Sequence, residues 1–283
     1  MIATALELPY RPAKPRRRGI TMVIDNGLPT GAFRDHVSSA GELIDFVKFG
    51  WGTAVVSRNL DAKIAVLAEH GIGFFFGGTL FEKHLLQDRF ADYRAFCHAH
   101  GCRYVEVSNG TMPLGNDEKA RWVEKLAREF VVFSEVGLKD PARSDRLSAE
   151  DWVAYIRQDL EAGARLVVAE ARESGRSGIC HADGRLRSEV LDGILGSGID
   201  VESLMFEAPT KDLQASFVRR VGPNVNLGNV GPGDVVGVET LRLGLRSDTL
   251  TAVLATPRPP QHSGVRPAGP MGAAREIAAA PNF

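Results

Sequence analysis

The chain has 283 residues, of which 44% are apolar and 24% are charged, proportions typical of a globular protein that can bury a core without disulfides. Its 34 basic and 35 acidic side chains nearly cancel, which argues against a general nucleic-acid-binding protein, because such proteins carry a basic excess. No apolar run approaches the roughly 18 residues of a membrane-spanning helix, so no membrane span is predicted.

The N-terminal residues 1–18 are predicted to form a flexible basic arm. Glu7 and Pro9 interrupt the first apolar stretch, and the charges follow it, which does not fit a secretory signal. Five basic residues and no acid lie between Arg11 and Arg18. A run of like charge is usually solvated, so we expect an arm exposed to water. Contact with an acidic neighbour is the alternative.

A short apolar run followed by a longer stretch with helical spacing recurs eight times between residues 19 and 250. The predicted strands are 20–25, 45–49, 72–76, 103–107, 131–135, 166–170, 204–207 and 224–227, and the clearest helices are 60–70, 82–100, 117–130, 148–161 and 234–245. Strands that are apolar throughout are typical of parallel sheets covered on both faces. Ser148 and Asp151 form a capping pair at the start of one helix.

Eight units of about 29 residues predict an α/β protein with a single (β/α)8 TIM-type barrel over residues 19–250. No G-x-G-x-x-G motif follows an early strand, which weakens the alternative of an open dinucleotide-binding sheet. Residues 251–283 are rich in proline, alanine and glycine and are predicted to be disordered, because they cannot bury enough apolar surface to offset the entropy of ordering. Three cysteines, an odd number, favour a reduced, cytoplasmic setting.

Acidic side chains recur at the carboxyl ends of the predicted strands, where barrels of this kind carry their chemistry. They are Asp25, Glu106, Glu135, Glu170 and Glu207. Buried charges without partners are costly, so a hard divalent cation with lysine and arginine nearby would compensate them. The alternative is that several of these acids turn outward and pair with helices.

The turn after the eighth predicted strand is rich in glycine, from Gly228 through Gly231 to Gly233. In this fold the loops after strands seven and eight often hold phosphate through backbone N–H groups, and glycine allows the anion to approach closely. Arg172 and Lys211 at neighbouring strand ends support an anion site. Ser174 and Asn229 complete the predicted substrate-binding set, although an ordinary turn is the alternative for the glycines.

Eight short motifs lie at these strand ends. They are RGITMVIDNGL at 18–28, VKFGWGT at 47–53, GGTLFE at 77–82, VEVSNG at 105–110, SEVGLK at 134–139, EARESG at 170–175, FEAP at 206–209 and NLGN at 226–229. Together they resemble the phosphosulfolactate synthase family of coenzyme M biosynthesis. The resemblance implies a lyase that adds sulfite to phosphoenolpyruvate with Mg²⁺ and forms (2R)-phospho-3-sulfolactate.

The residues suit that chemistry, in which sulfite attacks the methylene carbon and charge builds on the carboxylate. Lys139 is predicted to be the general acid that protonates the adjacent carbon, because it follows strand five and the resemblance places a lysine there. Lys48 and Lys211 are the alternatives, either as acids or as groups that hold substrate anions.

For Mg²⁺ the predicted ligands are Glu170 and Glu207, with Asp25 behind them, and Glu106 and Glu135 remain open. Arg172 is expected to hold an anion in a bidentate contact.

Two other functions remain open at this point. The chain could be a non-catalytic heat-stress-type relative of the same fold, since fold does not determine function. It could also be another barrel enzyme with an enolate intermediate, such as an aldolase that uses a lysine Schiff base. For the phosphosulfolactate synthase interpretation, the expected partners are the small anionic substrates phosphoenolpyruvate and sulfite and other copies of the chain, as a homo-oligomer, rather than nucleic acid or a membrane.

Overall fold

The computed structural model describes residues 5–253. Its strands are β1 Thr21–Asp25, β2 Phe46–Phe49, β3 Gly73–Phe76, β4 Tyr104–Val107, β5 Val131–Val136, β6 Leu166–Ala169, β7 Leu204–Glu207 and β8 Leu227–Val230. They form one parallel sheet in the order β3-β2-β1-β8-β7-β6-β5-β4. The sheet curls so that β3 approaches β4, which gives a nearly closed barrel. The predicted TIM barrel is therefore confirmed.

Eleven α-helices within residues 5–253 surround the strands. They are α1 Thr30–Ala40, α2 Thr53–Val56, α3 Leu60–Glu69, α4 Gly78–Leu85, α5 Phe90–Ala99, α6 Asn116–Leu126, α7 Pro141–Ser144, α8 Ala149–Glu161, α9 Ser188–Gly196, α10 Lys211–Val221 and α11 Val235–Arg242. The predicted capping pair of Ser148 and Asp151 is confirmed as a reciprocal capping box at the start of α8. None of these helices is long and apolar enough to cross a membrane.

Several predicted boundaries differ from the structure, and two of them have a clear local cause. The helix predicted over 82–100 is divided into α4 and α5, because Asp88 adopts a left-handed φ of 55° and the N–H of Arg89 turns back to the carbonyl of His84 at 2.8 Å. The eighth strand begins at Leu227 rather than at 224, because the Asn226 side chain occupies its start. The Asn226 amide accepts from the N–H of Ile20 at 3.0 Å and donates to the carbonyl of Leu204 at 2.8 Å.

Side chains inside the barrel are apolar at its lower end, where the strands begin, and mostly charged at its upper end, where the strands finish. The lower interior is an apolar cluster formed by strand residues and those just before them: Ile20, Met22, Phe46, Phe75, Tyr104, Phe133, Leu166, Val168 and Met205. Successive side chains on a strand alternate between the two faces, so the residue two positions later faces inward again. On five strands that residue is charged, namely Lys48, Glu106, Glu135, Glu170 and Glu207. The alternation therefore places a charged layer directly above an apolar one.

The N-terminal segment is packed against the lower end of the barrel. Arg11 is 9% exposed, and its guanidinium contacts the carboxylate of Glu239 at 2.9 Å and the carbonyl of Gly19 at 3.0 Å. Arg16 is 4% exposed and lies 3.0 Å from Asp45. The prediction of a solvated, flexible arm over 1–18 is wrong at these positions, because both guanidiniums pair with acids of the barrel.

The C-terminal segment 251–283, predicted to be disordered, lies outside the described residues from 254 onward. Val253, the last described residue, is buried against the outer core between strands and helices.

The buried pair of Arg11 and Glu239 generates a stability prediction. We expect Arg11→Ala to lower the free energy of unfolding by about 3–5 kcal/mol, because removal of one partner leaves a buried carboxylate without its counter-charge. Urea denaturation would measure this change. The control is Arg17→Ala at an exposed position, which should change stability by no more than about 0.5 kcal/mol. Equal effects of the two substitutions would contradict a docked N-terminal segment.

Candidate active site

A small charged cavity lies at the carboxyl ends of the strands. Its volume is about 40 Å³, and it is lined by Ile24, Lys48, Gly50, Trp51, Gly77, Gly78, Thr79, Glu106, Glu135, Lys139, Glu170, Arg172, Glu173, Glu207 and Asn229. A roomier cleft of about 520 Å³ lies at the opposite end of the barrel, around Arg18, Asp200 and Pro223. That cleft contains none of the inward-facing glutamates, so the chemistry belongs to the charged cavity.

Lys48 stands at the centre of the buried charges. Its ammonium group lies 3.1 Å from Glu106, 3.1 Å from Glu207 and 3.8 Å from Glu135. Burial by itself would lower the pKa of the Lys48 ammonium, but these carboxylates outweigh burial and hold that pKa well above its usual range. Lys48 is therefore a fixed positive charge that releases its proton reluctantly.

Lys139 approaches the same carboxylates from the loop after β5, and its side chain is 25% exposed. Its ammonium group donates to the hydroxyl of Thr79 at 3.3 Å and lies 3.7 Å from Glu135 and 4.0 Å from Glu170. Burial opposes the charged form, but Glu135 and Glu170 raise the pKa of Lys139 above its usual range. Unlike Lys48, Lys139 keeps an open side toward the mouth of the cavity.

Three buried glutamates converge beside the two lysines. Glu135, Glu170 and Glu207 each offer a carboxylate oxygen, and these oxygens lie within 4.8 Å of one another. One oxygen of Glu135 and one of Glu170 are buried and accept no hydrogen bond from residues 5–253. Free carboxylate oxygens in a close group are the ligands that a hard divalent cation such as Mg²⁺ prefers. The donor set therefore fits Mg²⁺, and it comprises the predicted Glu170 and Glu207 together with Glu135, which the sequence left open.

Burial and neighbouring charges shift the pKa values of three of these glutamates in different directions. Burial opposes the charged form of Glu135, but Lys139 and a hydrogen bond from protonated Glu170 lower its pKa to about 2. Burial raises the pKa of Glu106 to about 7, despite the opposing charge of Lys48. Burial, followed by the charges of Glu135 and Glu207, raises the pKa of Glu170 well above its usual range. Four buried carboxylates face two ammonium groups here. Either a bound proton or a bound cation must neutralise the excess negative charge.

Asp25 lies apart from this group, although sequence reasoning made it a metal candidate. One of its carboxylate oxygens pairs with the ammonium group of Lys63 from α3 at 2.5 Å. The other accepts from the N–H groups of Gly27 and Leu28 at 2.9 and 2.8 Å. On β1 the inward positions are Met22 and Ile24, so Asp25 faces the helices and fixes the turn after the strand.

Arg172 and Asn229, two of the predicted substrate-binding residues, do line the cavity. Arg172 donates to the carbonyl of Lys139 at 3.3 Å, while its buried Nε has no partner within residues 5–253. The side-chain oxygen of Asn229 is also buried and has no partner in that part of the chain. Unsatisfied polar groups beside a cavity are suited to contact a polar ligand.

The other predicted anion-binding residues do not line the cavity. Lys211 pairs with Asp248 at 3.1 Å on the surface, and Ser174 is exposed. Gly228 faces the lower interior, where a Cβ would lie 2.7 Å from Met22, so packing explains that glycine. Gly231 and Gly233 belong to the short 3-10 turn that leads into α11.

Sequence reasoning missed a buried network behind β5. The ammonium group of Lys119 lies 2.6 Å from Asp159 and donates to the backbone carbonyl of Glu135 at 2.8 Å. Ser134 donates to the same aspartate at 2.6 Å. The network fixes the strand at the residue whose side chain enters the cavity. Lys119 and Asp159 lie on separate helices, and nothing in their spacing along the chain indicates a pair.

Glu82 is a second residue whose role was missed. Its buried carboxylate accepts from the hydroxyl of Ser108 at 2.6 Å and from the N–H groups of Thr111 and Met112 at 3.0 and 2.9 Å. These contacts hold the loop after β4 beside the cavity.

The barrel and its charged cavity define the class of this protein: a TIM-barrel enzyme whose site combines clustered carboxylates with fixed ammonium groups. The sequence profile described as (2R)-phospho-3-sulfolactate synthase (ComA) matches residues 9–248. The chain therefore belongs to the phosphosulfolactate synthase family, as its strand-end motifs predicted.

Two of three individual relatives are phosphosulfolactate synthases, which supports this assignment. The chain is 51% identical to a phosphosulfolactate synthase of Bacillus subtilis, over 87% of this chain and 97% of the relative. It is 40% identical to one of Methanothermobacter thermautotrophicus, over 87% and 96%. It is 25% identical to the protein HEAT-STRESS-ASSOCIATED 32 of Arabidopsis thaliana, over 82% and 88%.

Among solved structures, the YdjI aldolase of Escherichia coli K12 superposes with a TM-score of 0.50 at 12% identity, covering 85% of this chain and 94% of that one. This likeness concerns the fold alone.

The raised pKa of Glu170 predicts how metal-free protein responds to pH. An acid with a raised pKa in the folded state costs stability as the pH rises above the unfolded value near 4.5. We expect Glu170→Gln to be more stable than wild type at about pH 8, with a smaller gain at about pH 5. Thermal unfolding in chelator measures both values. The control, Glu161→Gln at an exposed site, should show no such trend, and a gain independent of pH would contradict the prediction.

Proposed function

We propose that this protein adds sulfite to phosphoenolpyruvate to form (2R)-phospho-3-sulfolactate, with Mg²⁺ held by Glu135, Glu170 and Glu207. The observation that carries the proposal is the group of three buried carboxylates beside the ammonium group of Lys139. Family membership supports phosphosulfolactate as the product. Both substrates are small anions, so the site can take them only if a bound Mg²⁺, together with Lys48, Lys139 and Arg172, outweighs the glutamates.

The reaction requires one new bond at each carbon of a double bond. The sulfur lone pair of sulfite forms a C–S bond at the methylene carbon, the C=C π pair moves toward the carboxylate, and a proton then forms a C–H bond at the phosphate-bearing carbon. A bound Mg²⁺ would supply positive charge against the charge that develops on the substrate carboxylate. The protein must hold the anions and deliver one proton.

Lys139 is the residue best suited to deliver that proton. Its ammonium group is held by Thr79, Glu135 and Glu170 and retains an open side toward the cavity. Lys48 is enclosed by carboxylates and is 4% exposed. Lys48 therefore acts as the counter-charge that keeps the glutamates in place, while Lys139 acts as the general acid. Lys211 has no part in the proposal, because it lies on the surface.

Substrate anions have their own partners at the rim. Arg172 offers a buried N–H donor at Nε without a partner in residues 5–253, and Asn229, whose amide oxygen is an acceptor, can contact an anion through its Nδ2 group; both residues belong to the cavity lining. A guanidinium group matches the geometry of a phosphate or carboxylate. We assign these two residues to substrate binding.

The two alternatives fit less well. A Schiff-base aldolase needs a neutral lysine amine as its nucleophile, but the raised pKa values of Lys48 and Lys139 keep both side chains as ammonium groups, which is the form that a general acid requires. A non-catalytic heat-stress-type protein has no need for a buried charged cluster, whose assembly costs stability. The chain also has twice the identity to a phosphosulfolactate synthase that it has to the heat-stress protein, 51% against 25%.

We further propose that the enzyme works in the cytoplasm as a homo-oligomer. Its cysteines, Cys97, Cys102 and Cys180, are all free and buried thiols, which supports a reducing compartment. Analytical ultracentrifugation would measure the assembly state.

The first test of the proposal is turnover by purified protein. With phosphoenolpyruvate, sulfite and Mg²⁺ we expect (2R)-phospho-3-sulfolactate, identified by mass. Protein treated with EDTA should be inactive and should recover when Mg²⁺ is restored, because the carboxylate cluster would otherwise repel an anionic substrate. Full activity in metal-free buffer would contradict the role given to Mg²⁺.

The second test concerns the proton donor. We expect Lys139→Ala to lower kcat by roughly 10²–10⁴-fold, the usual contribution of a general acid, while KM changes by only a few fold. Lys211→Ala is the matched control and should leave kcat unchanged. Steady-state kinetics would measure both variants, and circular dichroism would confirm their folding. Near-normal kcat in Lys139→Ala would transfer the acid role to Lys48.

A further inference from the structure

Backbone strain is concentrated at the charged cavity. Four residues other than glycine have a left-handed φ within residues 5–253: Trp51 at 51°, Asp88 at 55°, Arg172 at 59° and Asn229 at 51°. This region is unfavourable for residues with a Cβ and is common only at positions that the surroundings impose. Three of the four line the cavity, and Asp88 lies in the distant turn between α4 and α5.

Trp51 is the one aromatic side chain of the cavity lining. It directly follows the strand that carries Lys48 and stands between two glycines. A Cβ on Gly50 would lie 2.4 Å from the side chain of Asn26, and Gly52 has a φ of 75°. The turn is therefore shaped to present Trp51 at the mouth, since neither neighbour could carry a side chain without a clash or strain.

The Trp51 indole has no structural role in the core. It is 53% exposed, whereas Trp152 is fully buried and Trp122 packs against Phe90 at 4.6 Å between ring centroids. Within residues 5–253 the Trp51 ring stacks on no aromatic ring and covers no cation. A large exposed indole on a strained backbone gives the folded protein little stability.

The enclosed part of the cavity is small, so a bound substrate must extend to the rim. About 40 Å³ accommodates a few water molecules at most, which is too little for a three-carbon compound that carries a phosphate. The glutamates and Lys48 cannot retreat, because their ion pairs fix them. The side chains that can move lie at the rim: Trp51, Arg172 and Glu173.

We propose that Trp51 is a substrate-binding residue whose indole swings aside to admit the phosphorylated three-carbon anion and then closes over it. In the closed position the indole separates the carboxylates and lysines from bulk water, which strengthens every charge interaction in the site. The indole N–H is a donor suited to an anionic oxygen. The identity of this ligand rests on the proposed function.

Acrylamide quenching of tryptophan fluorescence tests this closure, with (2R)-phospho-3-sulfolactate as the probe and calorimetry to establish saturation. The part of the quenching that is due to Trp51 is the difference in quenching between wild type and Trp51→Phe. We expect saturating ligand to lower that part several-fold. Unchanged quenching at saturation would overturn the proposal. Shielding of Trp51 that increases with protein concentration in the absence of ligand would also overturn it, because Trp51 and its exposed neighbours Val55 and Val56 would then be an interface between copies.

A second variant separates binding from a structural role. Trp51→Gly relieves the left-handed backbone, so the melting temperature should stay the same or rise while affinity for the probe falls about tenfold. Asp88→Gly is the matched control, at an exposed left-handed residue far from the cavity, and its affinity should not change. A lower melting temperature with unchanged affinity in Trp51→Gly would mean that Trp51 is structural.

Failure of the two proposals can be told apart. Binding of the probe without shielding of Trp51 contradicts the closure alone. Absence of turnover with phosphoenolpyruvate and sulfite, while the probe still binds and shields Trp51, contradicts the reaction alone. A protein that does not bind the probe at all contradicts both.

Discussion

The architecture of the site depends on how the barrel neutralises four glutamates in its interior. Glu106, Glu135, Glu170 and Glu207 are each at most 3% exposed, and within residues 5–253 the ammonium groups of Lys48 and Lys139 are the side-chain cations within 4.0 Å of them. In a low-dielectric interior such an excess is costly unless a cation or a proton completes it. Because burial and neighbouring carboxylates disfavour the charged form, the pKa values of Glu106 and Glu170 are raised. In our account the same excess binds the metal and keeps both lysines protonated.

The fold provides this arrangement through simple alternation, supported by pairs outside the barrel. Each inward-facing charge lies two residues beyond an inward-facing apolar side chain, as Glu135 does beyond Phe133 and Glu207 beyond Met205. Outward-facing polar residues at the strand ends meet groups of the surrounding helices, as Asp25 of β1 meets Lys63 of α3. These outer pairs fix the backbone that the inner charges need. The lower apolar layer closes the barrel beneath them.

Much of this could be predicted from the sequence, because eight apolar runs at regular spacing leave few other folds, and the strand ends locate the site. Side-chain direction was the missing information. Asp25 looked equivalent to Glu170, although counting in twos from Met22 places Asp25 on the outer face. The pairing of Arg11 with Glu239 could not be predicted, because it joins residues 228 positions apart in the sequence. The sequence did not indicate that Trp51 is a substrate-binding residue, because its strained backbone conformation is visible only in the structure.

The claim that the interior glutamates hold a divalent cation is tested most directly by crystals grown with Mn²⁺, which is located by its anomalous scattering. The account predicts one ion in contact with Glu135, Glu170 and Glu207, with Lys48 still paired to Glu106. An ion beside Asp25, or no ion while the three glutamates remain paired only with lysines, would contradict it.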